Sequence, residues 1–378
     1  MRNYNILFIS FPALVAVNPS APIVSTLVRR GHRVTYPTTV RIAARLAATG
    51  AEIILYPTPN WCPETNWEEW QMSHIEELLL HDKKKPDVVV YDLVSPAGAA
   101  LASRMRVPAV MTSNYLPLNE TRFNETFRGQ SYPNMYRQSC RVVDHFLERH
   151  GVPSVNYLFE HREKLNIYLF PSEFSPDVIG DDRCFYSGRC PGEQIAFGCW
   201  TKGDDDDHPI VLVATSTTYI QGANYFRMCV DALAETQWRV IFSIADDADP
   251  ASLFPLPPNF EIVQRTSHTR ILPHASLLIF LGGIVTSSEA AYHGVPMVIT
   301  SCGNDELEGL GDNLSQLGLG IHLKGNEMTP ESLRKCARQV LESATILRNV
   351  KKLQRSVRRQ AGAEEAANRI EEFIETNI

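Results

Sequence analysis

Short apolar runs alternate with helical patterns along the first half of the chain. Asn5 to Phe11 reads as a buried strand, and Ile23, Leu27 and Val28 share one face of a helix that the pattern opens at Asn18-Pro19. Arg29-Arg30-Gly31-His32 closes that helix with basic residues and a glycine, and Arg33 to Tyr36 is the next strand. A helix over roughly 39–49, a strand over Glu52–Tyr56, a helix over 71–81, a strand over Asp87–Asp92, an alanine-rich helix over 96–105 and a strand over Ala109–Thr112 follow. Residues 119–160 are polar and aromatic, and read as loops and helices interrupting the rhythm. A second series begins at Ile210–Ala214 and continues with strands at Arg239–Ser243, Phe260–Val263, Leu277–Phe280 and Pro296–Ile299. Near-continuous apolar strands alternating with helices predict parallel sheets covered on both faces. The acidic run Asp204–Asp207 marks a solvated linker between two doubly wound α/β domains, the first over 1–202 and the second over 208–360. Ligands bind beyond the carboxyl ends of the strands in such sheets, which puts the expected site in a cleft between the domains.

Composition narrows the function classes. The chain has 378 residues, 44% of them hydrophobic, and 36 basic against 43 acidic residues give a net charge of −7. That length supports two cores, and the apolar fraction excludes a disordered chain. A mildly acidic chain without a basic cluster argues against nucleic acid as a partner, because phosphate backbones recruit lysine and arginine. The eight cysteines form no C-x-x-C pair and the eleven histidines no H-x-x-x-H spacing, so no metal site is expected and the thiols read as reduced and mostly buried. Ile6 to Val17 resembles the apolar part of a signal peptide, but removing it would delete the first strand of a βαβ unit. No run reaches the length of a membrane span, and the expected location is the cytoplasm.

Ordered motifs then carry a family resemblance. They are Asn18-Pro19, Leu27 through Tyr36, Gly50-Ala51-Glu52, Pro86 through Asp92 and Val107 through Val110 in the first half. In the second half they are Ile271-Leu272-Pro273-His274-Ala275, Gly282-Gly283 with Glu289-Ala290-Ala291, Tyr292 through Met297, and Leu317-Gly318-Leu319-Gly320. Over nearly its whole length the chain resembles the family 1 glycosyltransferases of the GT-B fold, most closely the bacterial macrolide and antibiotic enzymes. The resemblance implies two facing Rossmann-like domains, with a hydroxylated acceptor on the first and a UDP- or TDP-sugar on the second. It also implies that residues 361–378 form a helix crossing back to the first domain.

Measured against the family's motifs, both halves of the implied site are altered. The family's base is a histidine in a Pro-Gly-His-Gly-His-Val-Asn-Pro loop; here the segment reads Pro12-Ala13-Leu14-Val15-Ala16-Val17-Asn18-Pro19, and the base position is Ala16. Its partner aspartate is kept as Asp92, which equally suits a strand-end carboxylate capping the next helix. Arg265-Thr266-Ser267-His268 stands where Trp-x-Pro-Gln stacks on the base, and Leu281 replaces the diphosphate-binding histidine. Gly282, Gly283, Thr286 and Glu289 remain, so the anion site at the helix start is kept, with Ser216 in the turn after the domain's first strand. The acidic-Gln pair for sugar hydroxyls aligns with Asp305-Glu306, with one residue inserted.

Three readings stay open at this point. In the first, the scaffold serves natural-product biosynthesis but is repurposed for chemistry other than sugar transfer. An apolar metabolite would lie against Leu14, Val15, Ala16, Tyr115 and Leu281 and face Arg265, Asp305 and Glu306, with His268 or Asp92 as acid or base. The second is a divergent nucleotide-sugar-dependent glycosyltransferase acting on a small natural product, for which an acidic acceptor such as a phenol or carboxylic acid dispenses with the lost base. The third is a non-catalytic partner of an active glycosyltransferase. None requires a cofactor; residual UDP- or TDP-sugar binding, a homo-oligomer and a pathway-enzyme partner are compatible with the sequence.

Overall fold

A computed structural model describes residues 2–58, 67–81, 85–117, 132–175, 181–189, 200–203, 207–214, 223–244, 249–264, 266–302, 305–360 and 362–378, without the side chains at 67, 78–81, 132–137, 160, 223, 252, 305 and 306. The chain divides into two compact units, residues 1–195 with 361–378 and residues 196–360. The expected linker residues 204–206 lie outside the described residues.

In the first unit the elements run β1 (Asn5–Ile9), α1 (Leu14–Arg29), β2 (Arg33–Thr39), α2 (Val40–Leu46), β3 (Glu52–Tyr56), α3 (Trp67–His81), β4 (Val88–Asp92), α4 (Ala97–Met105), β5 (Ala109–Ser113), α5 (Tyr132–Arg149), α6 (Tyr157–Glu160), β6 (Asn166–Tyr168) and β7 (Cys184–Tyr186). The second contains β8 (Ile210–Ala214), α7 (Ala223–Leu233), β9 (Arg239–Ile244), β10 (Phe260–Gln264), α8 (His268–Ile271), β11 (Ala275–Phe280), α9 (Ile284–His293), β12 (Met297–Ile299), α10 (Asp305–Gln316), β13 (Gly320–His322), α11 (Pro330–Glu342) and α12 (Ala344–Val357). The last helix, α13 (Gly362–Asn377), returns to the first unit.

Both sheets are wholly parallel, in the orders β3-β2-β1-β4-β5-β6-β7 and β10-β9-β8-β11-β12-β13. The alternation of side chains along each strand divides the first core in two. Ile6, Phe8, Val88 and Val90 pack under α1 and α13, while Leu7, Ile9, Val89 and Tyr91 pack under α3 and α4. Trp70 packs edge-on to Tyr56 in this second layer, whereas Trp61 lies outside the described residues.

The first helix begins earlier than its pattern predicts. Residues 14–17, expected as an apolar loop, are its first turn, and Pro19 and Pro22 lie inside it. Proline lacks the N–H that would bond the carbonyl four residues back. The carbonyl orphaned by Pro19 is that of Val15, and the Asn114 amide donates to it at 3.1 Å. A side chain from beyond β5 thus supplies the missing bond and lets the helix pass through the proline. At the other end, Arg30 donates to Glu371 and Asn368 of α13 at 2.7 and 2.8 Å. His32 accepts from Tyr4 N–H at Nδ1 and meets Glu371 at Nε2, 2.7 Å away.

Candidate functional site

The acceptor-side candidates lie in the first unit. Ala16, in the first turn of α1, is buried at 3% exposure, with Leu14 and Val15 half-buried beside it. Asp92 ends β4 at 1% exposure, and its Oδ1 accepts from Val94 N–H at 2.9 Å, an Asx turn rather than a cap on α4. Burial pushes the Asp92 carboxyl up to about 7, with the Val94 hydrogen bond opposing only part of the rise. Burial also raises the Tyr36 phenol against polar contacts from Ser10 and Ser20, and the nearby Asp92 charge adds to it. Around these strand ends Gln71 Oε1, Ser95 Oγ and Asn114 Oδ1 are buried without a hydrogen-bond partner among the described residues. Tyr115 follows directly, its N–H bonded to Ser113 Oγ at 3.0 Å. Sequence reasoning selected Asp92 and Tyr115 but not Gln71, Ser95 or Asn114, which belong to no motif and are joined only by the sheet.

The donor-side candidates lie in the second unit. Gly282 adopts φ +106, and a Cβ there would meet Ile299 Cγ2 at 2.8 Å, so both conformation and space demand glycine. Gly283 is the N-cap of α9 and offers no side-chain cap, while a Cβ built on it would meet nothing within 4 Å. The first bond of the helix runs from Ser287 N–H to Gly283 O, which leaves the N–H groups of Ile284, Val285 and Thr286 as the orphan donors of an open helix start. Such a start favours an anion through those donors and the helix dipole.

Two turns along, Glu289 is buried at 7%, and His268 Nδ1 lies 3.7 Å from its Oε2. His268 Nε2 meets Ser243 Oγ at 3.1 Å, so the histidine links β9, α8 and α9. Leu281 is buried at 5% beneath the glycine turn. Asp305 and Glu306 open α10 in the backbone, but their side chains lie outside the described residues, as do Ser216 and Arg265 entirely. His268 and Glu289 are therefore brought together, whereas Asp92 belongs to the other unit. Among the described residues no group of three metal-ligating side chains forms, and no helix is long and apolar enough to cross a membrane.

Two parallel-sheet α/β units, one with an open glycine turn ahead of a carboxylate-bearing helix, make up a doubly wound architecture of the Rossmann kind. Comparison with known proteins narrows this. Residues 227–373 match the family described as "Erythromycin biosynthesis protein CIII-like, C-terminal domain". The chain is 31% identical to the NDP-glycosyltransferase YjiC of Bacillus subtilis (strain 168), over 99% of its own length and 98% of that protein's. It is 26% identical to the oleandomycin glycosyltransferase of Streptomyces antibioticus, covering 97% and 90% of the two chains. Among solved structures, the calicheamicin glycosyltransferase CalG4 superposes with a TM-score of 0.81 at 30% identity over 99% of both chains. The glycosyltransferase VinC in complex with DTDP shares the fold at 17% identity, with a TM-score of 0.76 over 98% of this chain and 100% of the other. The chain belongs to the family 1 glycosyltransferases of the GT-B fold, whose relatives here are natural-product glycosyltransferases.

Proposed function

We propose that this chain is a divergent glycosyltransferase that moves a sugar from a nucleoside diphosphate to a small natural product through an acidic hydroxyl, a phenol or a carboxylic acid. The observation that carries the reading is the retained donor turn: Gly282 forced to φ +106, Gly283 with open space over its Cβ, and Glu289 held on the same helix, in a chain aligned end to end with an NDP-glycosyltransferase. The acceptor oxygen attacks the anomeric carbon, forming the glycosidic bond as the bond to the diphosphate oxygen breaks. The charge left on the diphosphate is received by the N–H groups at the start of α9, without the charge-assisted contact that a histidine at Leu281 would supply.

The proton leaves to Asp92. Ala16 holds no imidazole to act between acceptor and carboxylate, and a carboxyl titrating at about 7 is matched to accepting a proton near neutral pH. The acceptor must therefore be more acidic than an aliphatic alcohol. On the donor side His268, fixed by Ser243, orients Glu289 toward the nucleotide.

Calorimetry with UDP and TDP, followed by turnover with UDP- and TDP-sugars and a series of phenols, carboxylic acids and aliphatic alcohols, tests the proposal. Micromolar nucleotide binding and transfer by the purified chain, faster to acidic acceptors, is the expected result. Failure of every nucleoside diphosphate to bind at millimolar concentration would return the scaffold to chemistry other than sugar transfer. Nucleotide binding with turnover only after a second protein is added would favour the auxiliary role.

A further inference from the structure

The second unit holds a cavity of about 700 Å³ to whose described wall the donor turn contributes nothing. Its lining is apolar and rich in sulfur. Tyr225 and Met228 lie one turn apart on α7, Cys302 follows β12, and Met328 belongs to the connection from β13 to α11. Tyr225 is buried at 8% and its hydroxyl lies 3.0 Å from Thr300 Oγ1, so the ring is what it offers the cavity. Met228 and Met328 are half-buried, and Met328 Sδ lies 3.9 Å from Cys302 Sγ. Unbranched thioethers re-pack around ligands of different outline. The segment from β11 through α9, which carries Gly282, Gly283 and Glu289, supplies no lining residue among those described.

The charges around this cavity do not cancel. Lys324 donates to Asp312 Oδ2 at 3.1 Å, and Asp312 Oδ1 meets His322 Nδ1 at 2.7 Å. Burial alone would raise the Asp312 carboxyl, but the hydrogen bonds from His322 and Lys324 outweigh it and hold the group below the usual carboxylate range. The Lys324 ammonium is therefore committed to an ionised carboxylate. Glu308, on α10, is half-buried in the same wall and makes no hydrogen bond or ion pair among the described residues. With Lys324 and Asp312 paired, this carboxylate is left over, and a half-buried carboxylate without a partner favours a cation. An anion would face Glu308 with only a neutralised lysine in return. Asn224 and Asn326 complete the rim with exposed amides that suit the polar substituents of a ligand.

We propose that this cavity binds an apolar organic cation, a small molecule whose hydrophobic body lies against Tyr225, Met228 and Met328 and whose ammonium pairs with Glu308. The volume is that of a site for a drug-sized molecule. The site stands apart from the sugar-transfer reading, since no residue of the donor turn enters it.

Three probes of one shape and different charge test it: naphthylmethylamine, naphthylmethanol and naphthoate, titrated into the full-length chain by calorimetry at neutral pH and low salt. Methionine-methyl NMR, assigned with Met228→Leu and Met328→Leu, locates the binding. The amine should bind at least about tenfold more tightly than the alcohol, as one charge-assisted hydrogen bond allows, and naphthoate more weakly than either. The amine should also move the Met228 and Met328 signals. Glu308→Gln should keep its Tm and erase the preference for amine over alcohol. Lys324→Met removes a like charge and should tighten amine binding about two- to threefold. UDP should leave the amine affinity unchanged. No binding of the amine at millimolar concentration, equal affinity for the three probes, a preference that survives Glu308→Gln, or methionine signals that stay in place would each overturn the proposal. Displacement of the amine by UDP would make the cavity part of the donor site and overturn it as a separate one.

Discussion

Replacing Asp92 with asparagine separates what that carboxylate costs the fold from what it gives to catalysis. Its ionisation moves from an ordinary 3.8 to about 7 on burial, a difference corresponding to about 4 kcal/mol. The sign follows from proton binding. Between those two values the folded chain holds a proton that the unfolded chain has released, so stability falls as pH rises and levels off above about 7. Asparagine keeps an oxygen for the Val94 N–H and never ionises. Asp92→Asn should therefore stabilise the first unit by up to about 4 kcal/mol at pH 8, and the gain should vanish toward pH 4. Hydrogen exchange of the β4 amides against pH reads this within the unit concerned. Transfer should fall at least 10²-fold, with UDP affinity unchanged because the donor turn belongs to the other unit. A stability difference that is flat from pH 4 to 8 would show that a cation compensates the buried charge, and full activity in Asp92→Asn would remove it as the base.

Four further outcomes follow from the same geometry. In the wild type, kcat/KM should rise with pH through about 7, since Asp92 must be ionised to accept a proton; a profile level from pH 5 to 9 would contradict this. Ala16→His should accelerate transfer to aliphatic alcohols 10²–10⁴-fold and to phenols far less, measured as the ratio of the two kcat/KM values. Gly282→Ala should cost about 2 kcal/mol in unfolding free energy because it is both strained and clashing, whereas Gly283→Ala should keep its Tm and lose nucleotide affinity by calorimetry. Glu371→Ala leaves the Arg30 and His32 hydrogen-bonding groups unpaired by Glu371 and should cost about 2 kcal/mol in urea unfolding.

The central strands were legible because each is a run of four or more apolar residues, as in Val88–Asp92 and Ile210–Ala214. The strands β6, β7 and β13 are three residues each, too short for a period to register. Tyr168 and Tyr186 hold β6 against β7 by stacking at 5.0 Å, a pairing visible only once the sheet exists. The start of α1 was misplaced because prolines announce a break, and the Asn114 amide that repairs it comes from 99 positions away. The same division runs through the site. Gly282, Gly283 and Glu289 form a motif within eight residues, whereas Gln71, Ser95 and Asn114 have no mutual spacing that chemistry alone would select.

The helix α13 makes the folding order of this protein different from its order on the chain. Ala366, Ala367, Ile370 and Ile374 complete the hydrophobic layer that begins with Ile6 and Phe8, yet they leave the ribosome after every residue of the second unit. The second unit, continuous from 196 to 360, can close its core during synthesis. The first waits, its sheet exposing the strip that α13 will cover, through the translation of some 165 residues, which is tens of seconds at the slower elongation rates. That interval is when the nascent chain is most open to aggregation and to chaperones.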